Sequence, residues 1–395
     1  MKIKVGVFFG GKSVEHEISI ISAIQAIGYF DKEKYDIIPI YITKDNKMYV
    51  GEDLDKIEEY KDIKKLIEKS QRVVLVRNDE RVDLVKYPLK RFGNPIYDYI
   101  DVAFPIVHGT NVEDGTLQGY LKMLDLPYVG CDVLSSAIGM NKYVMKAILK
   151  DNNIPVLDCV VFTLKQYNEG VGSVCDAIEM QIPYPVIVKP IDLGSSIGIK
   201  KASNREELEE AVDYAFEFAT QILVERAITN LLEINCSVLG DYEEAIPSEC
   251  EQPISTDEIL SYEDKYVANG KNEGSKGMAT LKRKLPADIP DELKDAIGYL
   301  AVTTFKVLSC NGVARIDFMI DKDTGDVFVN EINTIPGSLS FYLWNATWIQ
   351  YSEQLDKMIQ LALKREREQK SVSYSLDTNI LSGVTLGGIK GTKGV

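Results

Sequence analysis

The chain has no excess of basic residues, no paired cysteine motif and no long apolar run. Lysine and arginine number 45 against 60 aspartates and glutamates, a net charge of −15 and a pI near 4.8. That balance argues against bulk binding of nucleic acid or of an anionic membrane surface. It leaves a nucleotide substrate open, because local lysines decide that. The six cysteines, Cys131, Cys159, Cys175, Cys236, Cys250 and Cys310, show no CxxC spacing, and no secretion signal precedes them. Reduced thiols of a cytoplasmic core are the expectation. No stretch reaches the length of a membrane span. Histidine is also scarce, with His16 and His108 alone.

What is present is ordinary globular material in 395 residues, 45% hydrophobic and 27% charged. A chain of this size holds two or three domains and buries a core with ease. KIKVGVFFGG is a buried strand running into a glycine turn. VEHEISIISAIQAIGYF has helical periodicity, and YDIIPIYIT is the next strand. Residues 51–92 are charged and mixed, a helix plus a hairpin around RVVLV. YIDVAFPIVHG is one buried strand ending in a glycine loop, with DGTLQGYLKMLDL a helix after it. This alternation predicts an α/β fold whose first unit is a parallel sheet with ligands at the strand ends. A second unit starts near 135 with one helix, SSAIGMNKYVMKAILKDNN, and strands at VVFTL, PVIVKP, IGIKKA and QILVERA. The boundaries read as 1–134, 135–245 and 246–370, with 371–395 a Ser/Gly/Thr-rich tail.

Residues 312–333, GVARIDFMIDKDTGDVFVNEIN, carry the most chemistry. Two strand-like runs flank a DKDTG turn. Arg315 and Asp317 lie two apart, as do Glu331 and Asn333, so pleated strands point each pair to one face. Antiparallel pairing would gather three oxygen ligands and a guanidinium on one side of a sheet. Such a set suits Mg²⁺, which takes a few carboxylates completed by water and phosphate oxygens.

Gly6 to Ser13, GVFFGGKS, fits the letter pattern of a phosphate-binding P-loop. Its interval belongs to an apolar strand, so the amides a phosphate needs are committed to a sheet. A tight Gly10–Gly11 turn presenting Ser13, Glu15 and Ser19 at the top of the sheet is the better reading. VIVKPIDLGSSIGIKK is a stronger phosphate site. Lys189 ends an apolar strand, and Gly194, Ser195, Ser196 and Gly198 make a turn with amides and hydroxyls to donate. Lys142 stands at a helix start. In ILVERA, Glu225 follows a strand, where backbone and carboxylate would read an adenine edge, and Glu233 would bind ribose hydroxyls. His108, at a strand end beside Gly109, occupies the usual ligand position of an open α/β sheet and reads as substrate-side. His16 reads as helix surface or support.

FFGGKSVEHEIS, FPIVHGTNVEDGTLQG, LPYVGCDVLSSAIGMNK, VIVKPIDLGSSIGIKK, YEDKY, GVARIDF and NEINTIPG resemble, in order, the signature segments of D-alanine–D-alanine ligases, members of the ATP-grasp superfamily. The resemblance covers roughly residues 3–345. It implies a Rossmann-like N-terminal domain followed by two ATP-grasp domains with ATP between them. It also implies the reaction: ATP phosphorylates one D-alanine carboxylate, and the amine of a second D-alanine attacks the acylphosphate, giving a dipeptide for peptidoglycan precursors. Asp317, Glu331 and Asn333 match the family's ligands for Mg²⁺ or Mn²⁺, two ions in all. Lys142 and Lys189 match its phosphate lysines, Glu225 and Glu233 its adenine and ribose contacts. Arg315 and the Gly337 amide would form the oxyanion site. Glu15 would hold the first ammonium, in a network with Ser195 and Tyr266. Lys265 and Tyr266 fall in a segment resembling the family's lid, which keeps water from the acylphosphate. Tyrosine at 266 favours an amine nucleophile over a hydroxy acid. A homodimer is the implied assembly.

The sequence departs from the family at several places. Asn141 stands where an aspartate is usual, YEDKY replaces YEAKY, and TNLLEIN replaces the common Gly-Arg-Glu around Glu233. The segment after Gly337, SLSFYLW, is shortened. Ser340, then Ser338, are the candidates for the second substrate's carboxylate. The alternatives are therefore a D-alanine–D-alanine ligase, a ligase of the same chemistry taking D-serine, D-lactate or another acid second, and a non-catalytic relative. A hydrogen-bonding pocket can reject a misfit strongly, so small changes here would switch substrate.

Overall fold

The computed structural model describes residues 2–194, 196–254 and 283–373. Ser195, Lys265, Tyr266 and the tail from 374 lie outside the described residues. Three sheets organise the rest.

The first sheet has seven strands in the order β6-β5-β4-β3-β2-β1-β7. β1 (Ile3–Gly10) lies parallel to β2 (Tyr35–Ile42) and β7 (Val102–Ile106). Helix α1 (His16–Ile27) makes the β1–β2 crossover that a parallel pair requires. β3 (Met48–Val50), β4 (Gln71–Arg77), β5 (Val82–Lys86) and β6 (Ile96–Ile100) pair antiparallel in succession. The sheet is thus mixed where a parallel one was expected. The connections β4–β5 and β5–β6 carry no helix, and α2 (Ile63–Lys69) lies between antiparallel partners. The expected single strand YIDVAFPIVHG is broken at Asp101 into β6 and β7. Asp101 leaves the ladder because its carboxylate and its amide bond Lys4 across to β1. α3 (Thr116–Met123) follows β7.

The expected helix 135–153 is two helices, α4 (Val133–Met140) and α5 (Lys142–Asp151). Asn141 breaks the run: its backbone is extended and its side chain accepts from the Val144 amide, capping the second helix. This is also how the chain tolerates asparagine in place of aspartate there, since both are good caps.

The second sheet, order β10-β9-β11-β8, is antiparallel throughout. It contains β8 (Cys159–Thr163), β9 (Val186–Pro190), β10 (Lys200–Ala202) and β11 (Gln221–Arg226). Helices α6 (Leu164–Glu169), α7 (Val171–Glu179) and α8 (Arg205–Phe216) accompany it, and Val174, Ile178, Leu208 and Val212 of the last two fill its core.

The third sheet, order β14-β13-β12-β15-β16, comprises β12 (Leu231–Gly240), β13 (Ala245–Pro253), β14 (Arg283–Lys284), β15 (Gly312–Asp321) and β16 (Val327–Asn333). Its apolar face packs on α9 (Asp291–Val307) through Ile297, Ala301 and Phe305, and on Met145 and Leu149 of α5. The expected division at 245/246 falls inside the β12–β13 hairpin, so strand pairing moves it to the 227–230 link before β12. The expected extent of the last unit also changes. After α10 (Phe341–Asn345), α11 (Tyr351–Lys370) buries Tyr351, Leu355, Met358, Ile359 and Ala362 in the core of the first sheet. Those positions share one helical stripe, and that stripe ties the chain's end to its beginning.

Candidate active site

The 312–333 hairpin forms as its residue pattern predicts. Arg315 faces Asn333 and Asp317 faces Glu331 across the strands. β12 adds Ser237 opposite Arg315 and Asn235 opposite Asp317, and β13 adds Glu251 opposite Asn235. One transverse row therefore reads Glu251, Asn235, Asp317, Glu331. The alternate residues, Ile316, Phe318, Ile234 and Cys236, point into the core beneath. Arg315 grips Asp317 with two bonds, Nε to Oδ1 at 2.6 Å and Nη2 to Oδ2 at 2.7 Å. Burial alone would lower the guanidinium's pKa, but the Asp317 charge and hydrogen bonds outweigh it and raise it well above the ordinary value. Asn333 Nδ2 donates to Asp317 Oδ2 at 3.0 Å. Among the described residues no three His, Cys, Asp or Glu side chains cluster for a metal. The hairpin's set is two carboxylates and an amide, hard oxygens that fit Mg²⁺ or Mn²⁺ but would need water or phosphate to complete six-coordination.

Facing this row is a buried cage of cations. Lys189 of β9, Lys142 and Lys146 of α5 and Glu225 of β11 are each 5% exposed or less. Glu225 Oε1 accepts from Lys189 Nζ at 2.6 Å, and its Oε2 lies 2.8 Å from Lys146 Nζ. Burial would raise the Glu225 carboxyl; the charges of Lys189 and Lys146 overturn that and bring it to about 2. Lys142 Nζ donates to the Leu193 carbonyl at 2.7 Å and lies 3.9 Å from Glu331. Burial, more than any neighbour, lowers its pKa. Lys189 and Lys146 share Glu225 while Lys142 has Glu331 at 3.9 Å, so three lysines stand against two glutamates, and an incoming polyphosphate would relieve that imbalance. Lys146 escaped the sequence reading, although its i, i+4 spacing from Lys142 put both on one helical face. Asn330 escaped for a better reason. It sits at a β-bulge, which turns it toward the cage, where its Oδ1 accepts from Lys189 at 3.3 Å.

The Gly/Ser turn closes the cage. Ser196 has φ +58° and Gly198 φ +76°, and a Cβ on Gly198 would come within 2.6 Å of Pro190. Glu233 lies on β12 opposite Met319, across the 227–230 link from Glu225. The TNLL insertion serves the hairpin: Asn230 bonds Asp323 at 2.8 Å and accepts from the Lys322 amide at 3.0 Å.

The N-terminal sheet supplies the other wall. Residues 6–10 of the P-loop-like pattern lie within β1, so no phosphate cradle forms there. Glu15, 9% exposed, caps the chain's first helix, and its Oε2 lies beside Gly109 and Gly194, a distance of 3.2 Å from where a Cβ on Gly109 would stand. His16 is fully buried, bonded to the Gly11 carbonyl and to Tyr41, which makes it support. Ser19 was expected at the substrate; instead its buried hydroxyl accepts from Gly10 N and donates to the Ile106 carbonyl. The substrate-side expectation for His108 also changes. Nδ1 faces the Ile335 carbonyl at 2.8 Å and must carry the proton, since a carbonyl only accepts. Burial lowers the ring's pKa and keeps it neutral, so Nε2 accepts from Ser22 Oγ at 3.0 Å. Ser22 Oγ in turn accepts from Ser338 N at 3.1 Å. Glu113, not singled out as a site residue although it lies in the FPIVHGTNVEDGTLQG segment, bridges the same loops, accepting from Gly109 N at 2.7 Å and Ile335 N at 3.2 Å. Burial, then the nearby Glu15 charge, raise its carboxyl to about 8.

After Gly337 the chain makes a turn in which Ser338, Leu339 and Ser340 are all left-handed, with φ of +50°, +52° and +52°. Each such non-glycine residue costs about 1–2 kcal/mol. Ser338 Oγ and Ser340 Oγ are buried and find no hydrogen-bond partner among the described residues. Beside the turn, Tyr342 donates to Glu251 at 3.0 Å, and Arg283 pairs with Glu251 at 2.7 Å while lying 4.0 Å over the Tyr342 ring.

Two family models match the chain, "D-ala D-ala ligase N-terminus" over residues 4–131 and "D-ala D-ala ligase C-terminus" over 148–363. A D-alanine–D-alanine ligase of Thermosipho melanesiensis is 42% identical over 382 residues, covering 96% of this chain and 98% of that protein. Another from Caldicellulosiruptor bescii is 42% identical, covering 95% and 99%. Among solved structures, the D-alanine–D-alanine ligase of Coxiella burnetii aligns with a TM-score of 0.77 at 29% identity, covering 94% of this chain and 96% of that one. A D-Ala:D-Ser ligase of Enterococcus faecalis aligns at 0.76 and 32%, covering 92% and 100%. An ATP complex of the Bacillus anthracis D-alanine–D-alanine ligase aligns at 0.62 and 26%, covering 93% and 99%.

Proposed function

This chain belongs to the D-alanine–D-alanine ligase family of ATP-grasp enzymes, and from that premise we propose that it joins two D-alanine molecules into D-alanyl-D-alanine with consumption of ATP. The observation that carries the reading is the facing of a buried lysine cage by a carboxylate-bearing sheet, with two hydroxyls beyond it that are unpartnered among the described residues. Lys142, Lys189, Ser195 and Ser196 would hold the phosphates, Glu225 fixing the direction of Lys189, while Glu225 and Glu233 border the nucleoside. Asp317, Glu331 and Asn333 would hold the divalent cations, whose charge, when bound, offsets that of the phosphate oxygens.

Glu15 would bind the first D-alanine's ammonium. The carboxylate oxygen of that D-alanine attacks the γ-phosphorus and ADP leaves, giving the acylphosphate. The second amine, having lost a proton, attacks the acyl carbon. Arg315 and the Gly337 amide would stabilise the resulting oxyanion, and collapse expels phosphate and forms the amide bond. The Arg315 guanidinium, locked to Asp317 by two bonds, is preorganised for that charge. Lys265 and Tyr266 belong to the lid segment in this reading. Ser340, with Ser338, would take the second carboxylate. Peptidoglycan precursor synthesis in the cytoplasm by a homodimer is the accompanying role; no helix among the described residues is long and apolar enough to cross a membrane.

A second reading, D-alanine joined to D-serine, D-lactate or another acid, is favoured by the shortened turn and by the likeness to a D-Ala:D-Ser ligase. Phosphate release with Mg²⁺–ATP across D- and L-amino acids and D-lactate, with products weighed by mass spectrometry, separates the two. D-Alanyl-D-alanine from D-alanine alone supports the first. Turnover only with a different partner supports the second, and no turnover overturns both.

A further inference from the structure

We propose that Ser22 and Gln354 are positioning residues for the acceptor amino acid, holding residues 338–340 left-handed so that two buried serine hydroxyls are kept unpaired for its carboxylate. The proposal rests on the ligase reading above and adds to it what determines acceptor affinity. Three consecutive left-handed non-glycine residues do not persist by local preference; backbone strain of this kind lasts only where the surrounding structure over-determines it.

Within the segment, Leu339 N donates to the Pro336 carbonyl at 2.8 Å, and Ser340 caps the following short helix without a side-chain bond. Among the described residues, two bonds reach the turn from elsewhere. Ser22 accepts from Ser338 N at 3.1 Å, and Gln354 Nε2 donates to the Leu339 carbonyl at 2.7 Å. Ser22 also bonds His108, which bonds the Ile335 carbonyl, so one relay from the N-terminal sheet grips both ends of residues 335–338. Gln354 comes from the C-terminal helix, on the stripe packed into the same core. Both side chains are 1% exposed or less. Neither bond involves Ser338 Oγ or Ser340 Oγ, which are buried and unpartnered among the described residues. A buried hydroxyl without a partner is costly unless a ligand supplies one. The turn thus serves presentation, and its anchors lie 316 and 15 positions away in sequence.

The test is steady-state kinetics of S22A, Q354M and the double variant, with folding followed by circular dichroism and ATP binding. Each single change should raise the acceptor-position KM roughly tenfold, the scale of a misaligned hydrogen bond to a charged group. The donor-position KM and positional isotope exchange in labelled ATP, which reports acylphosphate formation, should move less than about twofold. Because both anchors act on one turn, the double variant should raise KM by less than the product of the singles. An unchanged acceptor KM in folded variants, or donor and acceptor constants rising together, overturns the proposal. Hydrogen exchange of the unliganded wild type gives an arm independent of folding in the variants. Slow exchange of the Ser338 amide is expected, and fast exchange overturns a preformed turn. A wild type without D-alanine-dependent turnover would instead sink the ligase reading, leaving the exchange result to judge the turn.

Discussion

The lysine cage and the acceptor turn are built on opposite plans. In the cage, every named charge sits on a strand or helix and meets a partner within the chain: Lys189 and Lys146 on Glu225, Arg315 on Asp317, Lys142 near Glu331. In the turn the backbone leaves the ordinary regions and two hydroxyls find no hydrogen-bond partner among the described residues. Phosphoryl transfer needs fixed charge, and regular elements hold side chains at spacings that local backbone geometry sets. Discrimination among small acids needs a few unsatisfied groups at one angle, and a strained loop clamped from elsewhere can supply that.

The largest break in this contrast should come from the hairpin. Glu331→Gln is expected to lower turnover by at least about 10²-fold, several kcal/mol of lost charge stabilisation, measured as phosphate release. Next is Glu225→Ala, which strands Lys189 and Lys146 without their anion. Losing one partner of a buried pair should cost about 3–5 kcal/mol in urea unfolding. ATP should restore part of it by supplying negative charge, and a variant equally unstable with ATP would argue that the cage does not bind phosphate. Ser340→Ala should raise the acceptor KM roughly tenfold or more while leaving ATP binding intact, as expected for a hydrogen bond to a carboxylate. Gly198→Ala should destabilise by about 1–2 kcal/mol through its positive φ, with Pro190 in the way.

The smallest effect is a pH dependence. His108 is neutral in the fold because burial lowers its pKa below the ordinary 6.5. The unfolded chain therefore binds the proton more readily, and His108's contribution is present above 6.5 and lost as pH falls below it. Denaturation between about pH 7.5 and about pH 5.5 should lose less stability in His108→Gln than in the wild type. An equal loss would show that other groups carry the dependence.

Much of the molecule was legible along the chain. The hairpin and its one-faced charges followed from a period of two, and the P-loop-like letters were discounted because Val7, Phe8 and Phe9 are strand residues, as β1 bears out. Ser19, on α1, and His108, just past β7, spend their side-chain bonds inward, on Gly10 and Ile106 and on Ile335 and Ser22, and the direction of such bonds cannot be read from residue type and position. The split of YIDVAFPIVHG at Asp101 was hidden because it depends on Lys4, 97 residues earlier.

What the sequence determined by itself were the elements and their chemistry, since hydrophobic period, glycine turns and charged strand faces act over a few neighbouring residues. Tertiary structure alone decided which carboxylate meets which lysine, that Asn330 turns inward at a bulge, and that 338–340 is left-handed. Those outcomes depend on contacts between distant segments, such as Ser22 with Ser338 and Gln354 with Leu339, and no local propensity encodes them.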